Sequence, residues 1–164
     1  MKIGFIGLGN MATAIIGGLL REDTTLSSED GNATVITAAN IIGSAKTEAT
    51  RQKRAEQFGI AVTASNREVA EAADVLVLAV KPQFFPEVIA EIRDAVSENT
   101  LVVSIAAGLT LERIAGLFDR NVTAMRLIRC MPNTPALVNA GCTAVVPGPG
   151  ATEADEALCL RLLS

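Results

Sequence analysis

Gly7-Leu8-Gly9-Asn10-Met11-Ala12 follows directly on a short apolar run, Lys2 to Ile6, and leads into apolar residues at Met11, Ala14, Ile15, Gly18 and Leu19. An apolar run, a glycine pair and then helical spacing predict strand, tight turn and helix. The spacing G-x-G-x-x-A is the dinucleotide-binding fingerprint. Gly7 makes the turn, Gly9 leaves room for a pyrophosphate, and the small Ala12 lets helix and strand pack closely. The unpaired N–H groups and positive dipole end of such a helix attract phosphates. The alternative is a turn that needs its glycines for packing alone. A glycine motif by itself is a weak signal, but a strand before it and a helix after it are the context the fingerprint requires.

The remaining chain keeps alternating strands and helices. Arg21 to Asn32 is polar and reads as a surface loop. Either Thr34 to Thr37 or Asn40 to Ser44 can supply the second strand. Ile41-Ile42-Gly43-Ser44 is preferred, because a charged helical segment, Thr47 to Phe58, starts just beyond it. Ile60 to Thr63 follows as a short strand, and Ser65-Asn66 caps a helix from Arg67 to Ala73. Val75 to Val80 is the clearest buried strand, stopped by Lys81-Pro82 because proline supplies no ladder N–H. Phe84 to Val96 reads as amphipathic helix, Leu101 to Ile105 as strand, Ala106-Ala107-Gly108 as turn, and Leu111 to Phe118 as a helix capped by Thr110. Thr123 to Cys130 is a further strand, Met131 to Pro135 a proline-rich loop, and Cys142 to Val146 a last strand. Thr152-Glu153-Ala154-Asp155 then opens a helix running to Ser164. The pattern predicts an α/β fold, a doubly wound parallel sheet of Rossmann type, over residues 1–150.

Composition narrows the functional classes. The 164 residues are 49% apolar and only 3% aromatic, as aliphatic strands under Ala-rich helices require. A net charge of −4 argues against nucleic acid or an anionic membrane as partner, since either calls for a basic face. No segment approaches the ~20 unbroken apolar residues of a membrane span, and no signal-peptide layout follows Met1, so a cytoplasmic protein is expected. Cys130, Cys142 and Cys159 are odd in number and lack a C-x-x-C arrangement, which favours reduced structural thiols. Without a single His, no metal site is expected.

In a doubly wound sheet, ligands lie beyond the carboxyl ends of the strands. Gly7 to Ala12, Ser44 to Lys46, Ala79 to Pro82, Ala106 to Gly108 and Pro132 to Thr134 collect there. NAD-specific sheets place an Asp or Glu at the end of the second strand for the ribose 2′-hydroxyl, whereas this chain has Ser44-Ala45-Lys46. A hydroxyl and an ammonium suit a 2′-phosphate, so NADP is the expected cofactor, with NAD possible; the other reading is a solvated turn. Lys81, directly after a buried strand, is either a cofactor or substrate contact or a solvated strand end.

GFIGLGNM at the start, ASNREV, AVKPQ at Ala79 to Gln83, SIAAG at Ser104 to Gly108 and RCMPNTPALV at Arg129 to Val138 together resemble pyrroline-5-carboxylate reductase. The resemblance runs through nearly the whole chain, and AVKPQ with MPNTPA is far more specific than GLGNM, which β-hydroxyacid dehydrogenases share. It implies NAD(P)H-dependent reduction of 1-pyrroline-5-carboxylate to proline. It places Ile6, Gly7, Leu8, Gly9, Asn10 and Met11 at the pyrophosphate and Ser44, Ala45 and Lys46 at the 2′-phosphate end. It places Asn66 at the adenosine ribose, and Ala79, Val80, Lys81 and Pro82 with Ile105, Ala106 and Ala107 at the nicotinamide half. Ala45 departs from the polar residue of many relatives. No catalytic side chain is named, and the chemistry is consistent with that: reducing a ketone calls for a proton donor such as His or Tyr, and the chain contains neither. A cyclic imine can arrive already protonated, leaving orientation as the main task.

Relatives carry a helical C-terminal domain with the substrate-carboxylate pocket and the subunit interface. The resemblance therefore implies that residues 151–164 begin the helix leading to it, that these 164 residues are the cofactor part, and that the full-length protein is a homo-oligomer. A β-hydroxyacid dehydrogenase-like domain and a non-catalytic nucleotide-binding module are the competing classes. SIAAG does not match the glycine-rich substrate motif of the former.

Overall fold

The computed structural model describes residues 1–21, 24–27, 31–133 and 142–163. Its first half runs β1 (Ile3–Ile6), α1 (Asn10–Arg21), β2 (Thr25–Ser27), β3 (Ala33–Val35), β4 (Ile41–Ser44), α2 (Glu48–Phe58), β5 (Ala61–Thr63) and α3 (Asn66–Ala72). Its second half runs β6 (Val75–Leu78), α4 (Phe85–Ile92), β7 (Leu101–Ser104), α5 (Leu111–Leu117), β8 (Leu127–Pro132), β9 (Thr143–Pro147) and α6 (Glu153–Leu162). Seven strands form one sheet in the order β5-β4-β1-β6-β7-β8-β9, and β2 and β3 form a separate hairpin. Among the described residues, no helix is long and apolar enough to cross a membrane.

Every residue of β1, β4, β6 and β7 is buried, because helices cover both faces of these parallel strands. On one face Ile3, Phe5, Val75, Val77, Leu101, Val103, Ile128 and Cys130 pack with apolar residues of α1 and α6 and with Leu26 of β2. On the other, Ile6, Leu76, Leu78, Val102 and Leu127 pack with α3, α4 and α5. Alternation along each strand sends neighbours to opposite layers, so these aliphatic runs fill two cores at once.

The sheet is parallel from β5 to β8, as expected, but β9 runs antiparallel to β8. Residues 133–142 are too few for the crossover of a dozen or so that a parallel return needs. Both candidates for the second strand are strands: Ile41–Ser44 pairs with β1 in the main sheet, while Ala33–Val35 pairs with Thr25–Ser27. The expected surface loop thus contains β2, since Leu26, one apolar residue in a polar run, is fully buried. The expected helix from Phe84 is shorter, a 3-10 turn at Pro82–Phe84 followed by α4. The strand expected from Thr123 starts at Leu127, because the Asn121 side chain accepts the Thr123 N–H and holds a 3-10 turn there. Met131 and Pro132 belong to β8; Thr134 and Pro135 lie outside the described residues.

Cys130 and Cys159 are free buried thiols with their Sγ atoms 3.3 Å apart, and Cys142 is exposed. The hydrogen bond shared with Cys130, together with burial, raises the Cys159 pKa and keeps it a neutral thiol. A polar clamp beside them holds α6. Thr152 and Asp155 form a reciprocal capping box, and Asp155 Oδ2 also accepts from Arg126 Nε at 3.0 Å. Burial raises the Asp155 pKa, but hydrogen bonds from Arg126 and Thr152 outweigh it and leave the carboxyl below its ordinary value. A folded-state pKa below the unfolded one stabilises the fold above the ordinary carboxylate range, and that contribution disappears as pH falls through the folded-state value. Asp155→Asn is therefore expected to cost about 2–3 kcal/mol at neutral pH and much less in acid. Urea unfolding at both pH values measures this; equal costs would show that the charge is not the source.

Candidate functional site

The strand register lines up one row of residues across the sheet: Ser44, Ile6, Leu78, Ser104 and Arg129. Just past that row β1, β4, β6 and β7 leave the sheet while β8 runs on to Pro132, and backbone hydrogen bonds tie the exits together. Gly7 donates to Ser44 O at 3.1 Å, Ala79 to Ile6 O at 2.9 Å, and Ile105 to Leu78 O at 3.2 Å. The expected site segments, distant in sequence, are thereby brought along one carboxyl edge of the sheet.

The two glycines of the first turn do different work. Gly7 has φ +93°, and a Cβ there would lie 2.9 Å from Val80 Cγ1 and 3.1 Å from the Ala79 carbonyl carbon. Both the backbone angle and the contact exclude a side chain, which joins the turn closely to the end of β6. A Cβ on Gly9 would meet nothing within 4 Å. That open space is what a pyrophosphate needs. Gly9 O accepts from the Thr13 N–H at 2.9 Å, starting α1 at a residue with no side chain to cap it. Thr47, Ser65, Thr110 and Thr152 do cap α2, α3, α5 and α6 with their hydroxyls. The first-turn amides of α1 are left for an anion, so the residues present fit a dinucleotide.

At the end of β4, Ser44 is buried and its hydroxyl donates to Asn66 Oδ1 at 2.7 Å, while Asn66 Nδ2 donates to Glu91 Oε2 at 2.9 Å. Asn66 is thus fixed beside β4, and the Ser44 hydroxyl is engaged inside the protein. Ala45 is half-buried and Lys46 exposed. Ala79, Val80, Pro82 and Ile105 are half-buried, Ala106 is buried, and Lys81 and Ala107 are exposed. Leu8 is buried against Gly43, where a Cβ would come within 2.6 Å of Leu8 Cδ2, so the glycine turn rests on β4. Asn10 is exposed and Met11 half-buried at the start of α1.

Three arginines at this edge were not singled out from sequence. Arg51 Nη1 donates to the carbonyls of Ala45 and Lys46, at 2.8 and 3.0 Å. Arg54 Nε donates to Leu8 O at 3.3 Å. The i,i+3 spacing of the two on a helix was the available signal, since it places them on one face. Arg129 lies in the same row on β8, and among the described residues its buried Nε has no hydrogen-bond partner. Among the described residues, no group of three or more His, Cys, Asp or Glu is placed to hold a metal ion.

Residues 2–108 match the family described as NADP oxidoreductase coenzyme F420-dependent. The chain belongs to that family. Over 161 residues it is 42% identical to pyrroline-5-carboxylate reductase of Escherichia coli, covering 98% of this chain and 55% of that protein. The structure of the Coxiella burnetii pyrroline-5-carboxylate reductase superposes with a TM-score of 0.85 at 32% identity, covering 99% of this chain and 55% of that one. The Plasmodium falciparum pyrroline carboxylate reductase, solved with NADP bound, has a TM-score of 0.72 at 24% identity over 99% of this chain and 54% of that one, a likeness of fold. The chain spans about half the length of the curated relatives it matches. The resemblance read from the motifs is thereby shown.

Gly9→Val is expected to leave the melting temperature near that of the native chain, since its Cβ meets open space, and to abolish NADPH binding by filling the pyrophosphate's place. Calorimetric titration beside a thermal melt checks both; unchanged affinity would make the glycine turn a packing device.

Proposed function

We propose that these 164 residues form the cofactor-binding half of an NADP(H)-dependent pyrroline-5-carboxylate reductase, acting in proline biosynthesis in the cytoplasm. The observation that carries the reading is the start of α1: an uncapped helix N-terminus behind a glycine whose missing Cβ faces open space, at the carboxyl edge of a parallel sheet. The bound cofactor supplies hydride. The chain's own part is to hold it. The α1 amides and the Gly7 to Met11 turn take the pyrophosphate, the Ser44-Asn66 pair shapes the adenosine side, and the exits at Ala79 to Pro82 and Ile105 to Ala107 form the floor under the nicotinamide. Exposed Lys46 lies on the adenosine side and exposed Lys81 on the nicotinamide side of β1, following the strand order.

An imine substrate agrees with the residues present, since no His or Tyr is available to protonate a carbonyl oxygen. Relatives' remaining length is the natural source of the pocket for the substrate carboxylate and of the homo-oligomer interface. Two outcomes are expected. NADPH binds about tenfold or more tighter than NADH, a preference that shrinks with salt; equal affinities in calorimetric titration would defeat it. The 164 residues by themselves bind the cofactor but reduce pyrroline-5-carboxylate several hundredfold or more slower than the full-length Escherichia coli enzyme. Orientation can supply roughly 7–11 kcal/mol of a barrier, and half of that is lost without a substrate clamp. Comparable steady-state NADPH oxidation by the two would place the whole catalytic site within Met1 to Ser164.

A further inference from the structure

α2 is an unusual helix for this fold. None of its residues is fully buried, and its sequence, EATRQKRAEQF, carries three cationic side chains in a chain whose net charge is −4. Apart from Phe58, half-buried against the core at its C-terminal end, apolar burial therefore gives it little reason to sit where it does. Two arginines dock it onto the site instead. Arg51 grips the carbonyls of Ala45 and Lys46, and Arg54 reaches across to the carbonyl of Leu8 in the glycine turn. Each anchor uses part of a guanidinium and fixes its plane. Arg54 Nη1 also donates to Gln57 Oε1 at 2.7 Å; among the described residues, Arg51 Nε and Nη2 and Arg54 Nη2 have no hydrogen-bond partner and neither side chain is in an ion pair. The helix's own acids do not compensate: Glu56 accepts from Gln52, and Glu48 lies in the exposed first turn.

We propose that Arg51 and Arg54 are the residues that select a 2′-phosphorylated dinucleotide, with their free N–H groups and Lys46 closing around the phosphate between the end of β4 and the glycine turn. This rests on the cofactor reading above and names its selective contacts. Two half-buried guanidiniums, braced by backbone carbonyls and lacking a carboxylate, are preorganised donors for a dianion. The braces hold their donors in place before the ligand arrives, which reduces the ordering cost of binding. The Ser44 hydroxyl cannot replace them while it is committed to Asn66. NADH, lacking the 2′-phosphate, would leave both guanidiniums solvated and gain nothing from them.

The test is calorimetric titration of NADPH, NADH, adenosine 2′,5′-bisphosphate and adenosine 5′-monophosphate into the native chain and into Arg51→Gln, Arg54→Gln and the double variant. Each single change is expected to weaken NADPH and the bisphosphate about tenfold or more, and NADH and the monophosphate by a clearly smaller factor, the part due to the lost brace. The double variant should also flatten the salt dependence of NADPH binding towards that of NADH. Unchanged NADPH affinity would overturn the inference while leaving the cofactor reading intact. Equal losses for NADPH and NADH would do the same, by reducing the arginines to braces of the loops. A native chain that binds neither dinucleotide would overturn both. Arg54→Lys, which keeps the charge but not the fork, is expected to recover only part of the NADPH affinity.

Discussion

The common register of four buried parallel strands is the constraint on which the rest of this structure depends. Ile6 stands between Ser44 and Leu78, and Leu78 beside Ser104, so the strands end level and their following turns share one edge. Both faces are buried, so a slip of one residue would send every aliphatic side chain to the wrong layer and disorder two cores together. Apolar packing thereby determines, at the atomic scale, where Gly7, Ala45, Ala79 and Ile105 leave the sheet. The site inherits its geometry from the core.

The helices are secured to the sheet by different physics. α1, α3, α4 and α5 are held by apolar faces, as a helix on a sheet ordinarily is. α6 adds a polar clamp, Arg126 with Asp155 and the Thr152 cap, next to the Cys130 and Cys159 thiols. α2 depends on hydrogen bonds from arginines to carbonyls at the site itself. A helix bound in that way couples its position to the glycine turn and the end of β4 through hydrogen bonds.

Several elements were read correctly for reasons local to them. The charged segment from Thr47 to Phe58 is the helix α2, Ser65, Thr110 and Thr152 start their helices as caps, and the aliphatic runs at β6 and β7 are strands. The errors share another cause. Thr123 has strand propensity, yet the Asn121 side chain holds a turn there. Leu26 lies in a run of loop-forming residues, yet it is fully buried in the core and its segment pairs as a hairpin. β9 is antiparallel because of the length of the connection before it, a property of the sheet's edge and not of the strand's own residues.

Periodicity, caps and glycine spacing are encoded within a few residues of where they act, so the sequence by itself determined the order of the main sheet's strands and helices, the doubly wound class and the glycine turn. Motif content over the whole chain determined the resemblance to pyrroline-5-carboxylate reductases. The tertiary structure alone decided which side chains meet across long separations. It turned Ser44 inward to Asn66, set Arg54 against Leu8, left Arg129 Nε without a partner among the described residues, and placed Cys130 beside Cys159. Such meetings depend on register and on the rotation of each helix about its axis. Many residues packed together set those quantities, and no local pattern carries them.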